Sequence, residues 1–326
     1  MLFYPSKNPV ELRVIHLNKN QEQRREDLME ATQGKAALKQ FKKTLAKKAK
    51  QALKTKSKNK KKPSDSTQQV FVLDFDGDIK ATAVKNLREE ISTLISTANK
   101  GDEVVVRLES GGGLVHSYGL AASQLARLKD AGLKLTVCVD KVAASGGYMM
   151  ACVADNIVAA PFAIIGSIGV VSQLPNFHKW LKNHDVDYEM FTAGDYKRTV
   201  TVFGENDDED RAKYQEELEQ THELFKHFVN RYRGMLDVDK VATGEHWYGE
   251  DALHLNLVDK LQTSDSYLLE RMENNEVYAL HSRQKPTLAE KLGLSQAAEA
   301  TISMAVDKLP DALARFDLNS RLNILK

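Results

Sequence analysis

A chain of 326 residues, 42% hydrophobic and 28% charged, is long enough to bury one large α/β core with appendages. Two cysteines exclude a disulfide framework, and no CxxC or HExxH spacing occurs, so neither a metal nor a cofactor is assigned. The formal net charge is only +1, yet Lys35 to Lys62 holds 13 lysines and no acidic residue, which makes this run a module apart from an otherwise acidic chain.

Residues 1–34 form an N-terminal segment. Met1-Leu2-Phe3-Tyr4-Pro5 is far too short to cross a membrane, and no stretch of 18 or more apolar residues occurs. Residues 35–68 form a lysine-rich helix and linker. The alanines, leucines and lysines of Ala36 to Leu53 favour helix, whereas Lys54 to Thr67 loses apolar spacing and gains Ser, Asn and Pro63. Such a run is a solvated tether, a contact for an anionic membrane surface, or a nucleic-acid arm. Phe41 is the one aromatic inside it, so stacking on bases has little support and no specific nucleic acid is expected.

The core is expected over residues 69–262. Val70 to Phe75 reads as a buried strand, Val84, Leu87, Ile91, Leu94 and Ile95 repeat at helical spacing, and Val104 to Leu108 is the next strand. That strand ends in Glu109-Ser110-Gly111-Gly112-Gly113-Leu114, whose N–H groups meet a developing oxyanion without obstruction by side chains. His116 tops a helix whose Leu120, Leu125 and Leu128 face the core, and Gly132 closes it. Leu133 to Val139 is a buried strand feeding a sharp turn, Val142-Ala143-Ala144-Ser145-Gly146-Gly147-Tyr148, that exposes Ser145 as a nucleophile. Cys138 and Cys152 flank it as buried free thiols.

Ile157 to Ala159 is another strand, and Gly166-Ser167-Ile168-Gly169 follows inside the apolar run Phe162 to Val171. Tyr188 to Thr192 leads to a loop carrying Lys197, 52 residues beyond the serine. After the acidic Glu205 to Asp210, the residues Tyr214, Leu218, Leu224, Phe225, Phe228 and Tyr232 mark a long amphipathic helix, for packing on its own sheet or on another subunit. Residues 263–326 read as a helical tail.

The ordered motifs, from Leu108-Glu109-Ser110-Gly111-Gly112-Gly113 through Asp140 to Tyr148, Gly166-Ser167-Ile168-Gly169-Val170 and Gly194-Asp195-Tyr196-Lys197, resemble those of the signal peptide peptidase A family of serine-lysine proteases, in its SohB-type branch. The resemblance runs from about Val70 to Leu261, and Thr243-Gly244-Glu245-His246-Trp247-Tyr248-Gly249 matches a late signature. Two positions depart: the family usually has proline where Gly111 stands and glycine where Asn256 stands.

The resemblance implies an α/β Clp-crotonase-like superfold of repeated ββα units with a helical C-terminal region. It also implies that Ser145 attacks a peptide carbonyl while neutral Lys197 accepts the hydroxyl proton and returns it to the leaving amine. Bringing a lysine from about 10.4 to near 7 takes on the order of 4 to 5 kcal/mol against the charged form, which burial must supply. Ser167 would orient that amine, or else bond its own backbone. The N–H groups of Gly113 and Gly146 are assigned to the oxyanion hole, and Leu114, Val115, Tyr148, Met149, Ile168 and Val170 to an apolar substrate pocket.

The family further implies assembly of identical subunits into rings or domes, with Lys197 acting on the Ser145 of its own subunit or on that of a neighbour. Its substrates are signal-peptide remnants and other hydrophobic membrane-derived peptides, and its place is the bacterial plasma membrane. SohB-type proteins usually begin with a spanning helix that this chain does not show; since the match starts near Val10 to Val14, an anchor upstream is one explanation and a soluble relative the other. Of nine histidines, only His116, His178 and His184 lie near the motifs, so a Ser-His-Asp triad has little support. A crotonase-like acyl-coenzyme A enzyme and a non-catalytic adaptor using the lysine arm are the rival readings.

Overall fold

The computed structural model describes residues 10–58, 68–194 and 196–284. Residues 13–281 form one unit that holds the contacts described below; the other unit comprises residues 1–12 and 282–326, of which 10–12 and 282–284 are described, as strand ends. The elements run β1 (Val10–His16), α1 (Leu17–Lys58), β2 (Gln69–Gly77), α2 (Val84–Thr97), β3 (Glu103–Ser110), α3 (Val115–Asp130), β4 (Lys134–Val139), β5 (Val142–Ala144), α4 (Gly146–Ala151), β6 (Asn156–Ala159), β7 (Ile164–Gly166), α5 (His178–Lys182), α6 (Asp208–Tyr232), α7 (Val238–Val241), β8 (His246–Tyr248), α8 (Gly249–His254), β9 (Lys260–Leu261), α9 (Ser264–Met272) and β10 (Glu276–Gln284).

The sheet order is β1-β10-β2-β3-β4-β6-β9, with β5 pairing β3 and β7, and β8 pairing β7. The pairs from β10 through β9 are parallel, with Val70 opposite Glu103 and Val137 opposite Ile157, while β7 and β8 are antiparallel. Parallel strands need crossovers that cover both faces, so their apolar runs are continuous rather than alternating. Val104, Val105 and Val106 are accordingly all buried. One cover is α2 and α3, through Leu87, Ile91, Leu94, Tyr118, Leu125 and Leu128. Opposite, Tyr267 and Leu268 of α9 pack on Val70, Val72, Val105, Cys138 and Val158. Each such side chain contributes about 1.5–3 kcal/mol of burial.

Turn chemistry fixes the connections. Gly132, at φ 82°, ends α3 with N–H bonds from Gly132 to the Lys129 carbonyl and from Leu133 to the Leu128 carbonyl. Asn256, where the family has glycine, also adopts a positive φ of 60°; asparagine tolerates that region better than most residues.

Two expectations, the tail and the linker, need correction, and the N-terminal segment, for which no element was expected, gains one. Of the helical tail expected over 263–326, α9 is helical, β10 is instead a strand parallel to β2 with Val277 opposite Val70, and residues 285–326 lie outside those described. The N-terminal segment supplies an edge strand, β1, where His16 stacks on Tyr278 at 4.7 Å and the Asn18 side chain accepts the Val277 N–H at 2.8 Å. Of the linker expected over 54–67, residues 54–58 are still helical and 59–67 lie outside the described residues.

Helix α1 breaks at Gly34 (φ 82°, ψ 166°). Across the break the Arg25 guanidinium lies 4.6 Å over the Phe41 ring, and Lys42 pairs with Glu26 at 2.8 Å. Residues 16 apart on a straight helix stand about 24 Å apart, so α1 folds back as a hairpin whose acidic first arm faces the start of the lysine run.

Candidate active site

Ser145 occupies the junction between β5 and α4 with φ 52° and ψ −119°, a conformation that costs a non-glycine residue about 1–3 kcal/mol and persists only where its surroundings enforce it. Enforcement comes from both sides: the Ser145 N–H donates to the Gly166 carbonyl at 2.8 Å, and its carbonyl accepts from Met149 N–H at 2.9 Å. A serine on such a strand-to-helix elbow projects its Oγ over the sheet end. Gly146 then opens α4, where the first N–H groups have no intrahelical acceptor. A Cβ at Gly146 would lie 2.4 Å from the Tyr118 ring, which is why no larger residue follows the serine.

The glycine loop after β3 presses on this elbow. Gly112 has φ 89°, and a Cβ there would come within 2.7 Å of both Gly146 N and Ser145 Cβ. The loop is clamped from behind: Ser110 Oγ accepts the Gly112 N–H at 3.1 Å and bonds the buried Tyr118 hydroxyl, which also donates to the Asp78 carbonyl at 2.7 Å. Burial raises the Tyr118 phenol above its ordinary pKa and keeps it a neutral donor. Leu114 N–H donates to the Ile79 carbonyl at 2.9 Å and fixes Gly113 beside the serine. Ser110 and Tyr118 are supports that motif reading passed over.

Ser167, also at positive φ (50°), donates its N–H to the Glu245 carbonyl at 2.6 Å, and Gly244 N–H donates to the Ile168 carbonyl at 3.1 Å. The late signature Thr243 to Gly249 thus straps the floor that holds Ser145 through Gly166.

Two adjoining cavities, of about 650 and about 680 Å³, share Gly113, Val115, Ser145, Gly169 and Val170. The first reaches Gly146 and Met149 and is walled by Leu224, Phe225 and Phe228 of α6. The second reaches Leu114, Ser167 and His222. Ser145, Gly113, Gly146, Ser167, Leu114, Val115, Met149 and Val170 therefore converge. Tyr148 and Ile168 do not, which corrects their assignment to the pocket. Both are fully buried, and the Tyr148 hydroxyl turns inward to donate to the Leu257 carbonyl at 2.9 Å, burial pushing its pKa far up.

Lys197 is exposed and lines neither cavity; its N–H closes a turn to the Gly194 carbonyl at 3.1 Å. Among the described residues none buries its side chain. The surrounding segment from Val171 to Asp207 has α5 as its one helix among the described residues, and it exposes Val171, Phe177, Trp180, Phe191 and Tyr196. His116, His178 and His184 line neither cavity. The histidine that does is His222, whose distance from the serine in sequence hid it.

Two family models match the chain: Peptidase family S49 N-terminal over residues 4–125, and Peptidase family S49 over residues 127–278. The chain is 59% identical over 235 residues to "Probable protease SohB" of Haemophilus influenzae, covering 72% of this chain and 66% of that protein. It is 50% identical over 275 residues to "Probable protease SohB" of Buchnera aphidicola subsp. Schlechtendalia chinensis, covering 82% and 89%. The first match thus spans slightly less than two thirds of the relative's length. Elbow, glycine loop and strapped floor all fall inside the matched regions, and the chain belongs to peptidase family S49.

Proposed function

We propose that the protein is a serine endopeptidase that cleaves hydrophobic peptides, signal-peptide remnants among them, through an acyl-enzyme on Ser145. Neutral Lys197 takes the hydroxyl proton and returns it to the leaving amine; water then releases the acyl group. The Gly113 and Gly146 N–H groups hold the oxyanion, a donor worth about 3 kcal/mol in the transition state. The observation carrying this reading is the enforced positive φ of Ser145 at the mouth of α4, over a cavity edged by glycine backbone. Apolar walls at Val115, Met149, Phe225 and Phe228 suit hydrophobic side chains.

In this proposal Lys197 comes from a neighbouring copy. Its exposure, and the apolar side chains around it, support a segment completed by contact with another subunit. That contact would also bury the amine. The lysine-bearing arm of α1 suits an anionic membrane surface. Among the described residues no helix is long and apolar enough to cross a membrane.

Hydrolysis of a hydrophobic fluorogenic peptide by wild type, Ser145→Ala and Lys197→Ala tests the reading, together with fluorophosphonate labelling. Both variants should be inactive, with labelling lost in the first. Activity surviving Lys197→Ala would reject the lysine as base, and unlabelled wild type would reject the nucleophile.

A further inference from the structure

We infer that His222 is a substrate-binding residue of the Ser145 site, its Nε2 hydrogen-bonding the main chain of a peptide laid across the serine. The inference rests on the reading of that cavity as a peptide site.

Helix α6 begins with a reciprocal capping box between Asp207 and Asp210, and buries Phe225 and Val229. His222 stands three and seven residues before these, on the same inward face, and lines the cavity it shares with Ser145 and Ser167. Among the described residues its Nε2 is buried without a hydrogen-bond partner. A buried polar atom left unpaired costs about as much as a hydrogen bond returns, so native proteins rarely keep one without a use.

Several groups of the cavity wall are already committed among the described residues. Ser167 N–H is committed to the Glu245 carbonyl, Gly244 N–H to the Ile168 carbonyl, Gly112 N–H to Ser110 Oγ, and the Thr243 hydroxyl to the Glu245 carboxylate at 2.8 Å. Ile79, Val115 and Val170 add hydrocarbon beside the Ser145 and Ser167 side chains. A peptide laid across the serine can supply the partner that Nε2 lacks. An extended peptide brings a carbonyl and an N–H at every residue, and an imidazole nitrogen pairs with either according to its tautomer. Pairing with the main chain leaves selection of side chains to the apolar walls. No hydrogen bond joins His222 to Ser145 among the described residues, so the geometry favours binding over proton transfer.

The test uses the full chain in a Ser145→Ala background, with binding of a fluorescein-labelled hydrophobic decapeptide read by anisotropy. Adding His222→Phe, which keeps the ring's bulk and removes its nitrogens, should raise Kd roughly tenfold, about one hydrogen bond. His222→Gln, which restores a polar atom at similar reach, should recover most of that. If the Phe variant fails to fold, His222→Asn, which withdraws the polar atom, replaces it with the same expected rise. With Ser145 intact, the same changes should raise KM while kcat stays within about twofold.

Equal Kd in all three proteins, or no peptide binding by Ser145→Ala, overturns the inference. So does a fall in kcat at unchanged KM for both Phe and Gln, which would make His222 the base. Wild type that binds the decapeptide without cleaving it would defeat the peptidase reading and leave the His222 inference to be decided by Kd.

Discussion

Around Ser145 nearly every nearby main-chain group has a partner within the chain: Gly166 and Met149 hold the elbow, Ser110 and Tyr118 clamp the glycine loop, and Glu245 and Ile168 are strapped beneath it. Around Lys197 the reverse holds, with an exposed side chain, a single short helix over some forty residues, and rings such as Phe191 left 89% exposed. The first region is preorganised by its own sheet. The second, among the described residues, leaves apolar side chains such as Val171 and Phe191 largely exposed, the kind of surface that marks an interaction site.

The sharpest break of this contrast exchanges the two halves. Ser145→Ala and Lys197→Ala should each lower kcat/KM by about 10⁴-fold or more. Mixed in equal amounts and reassociated, they should recover about a quarter of wild-type activity, because in a head-to-tail ring one junction in four then joins an intact serine to an intact lysine. Recovery of nothing from mixed assemblies would put both groups in one subunit's site.

On the preorganised side, Gly112→Ala should cost about 10²-fold in kcat, the scale of a lost oxyanion donor. The new methyl meets Gly146 N and Ser145 Cβ at 2.7 Å, on a backbone at φ 89°. Gly111→Ala is the control, since a Cβ there meets nothing within 4 Å. Equal losses in the two variants would mean that the loop is a mere linker. On the uncovered side, Phe191→Glu should cost roughly tenfold in activity at low protein concentration and less at high, with light scattering reporting dissociation. Unchanged assembly and activity would show that this ring covers nothing.

The two regions were also unequally legible. Buried parallel strands announce themselves as unbroken apolar runs, so Val70 to Phe75, Val104 to Leu108 and Leu133 to Val139 could be placed without a structure, as could Gly132 at its helix end. The glycine loop and serine turn were legible because backbone crowding demands glycine at fixed offsets. Strands β1 and β10 were not: they come from opposite ends of the described chain, and the contact of His16 with Tyr278 joins residues far apart in sequence. Tyr148 and Ile168 were misassigned because neighbours in sequence on a helix or turn face opposite ways, and closeness to Ser145 in number was taken for closeness in space. His222 illustrates the converse, since only packing of α6 brings it to the serine. The exposed surroundings of Lys197 carry no apolar periodicity that a reading of the sequence could use.

The smallest expected effect on activity concerns the two buried cysteines, Cys138 of β4 and Cys152 at the end of α4. Burial pushes the Cys138 thiol up to about 12 and the Cys152 thiol higher still. At pH 8 the native protein therefore holds almost no thiolate, and iodoacetamide should leave both residues and the activity untouched, while modifying both in urea. The sign of the linked stability follows. Below about 8.5 both states keep the protons; above it the unfolded chain ionises first, so stability present at neutral pH is lost as pH rises toward 12, by up to about 1.4 kcal/mol per pH unit for each thiol. Urea midpoints at pH 7 and pH 10 should fall further for wild type than for Cys138→Ala/Cys152→Ala. Native alkylation at pH 8 would instead mean that the core beside Ser145 opens readily, and would erase the contrast with the Lys197 segment.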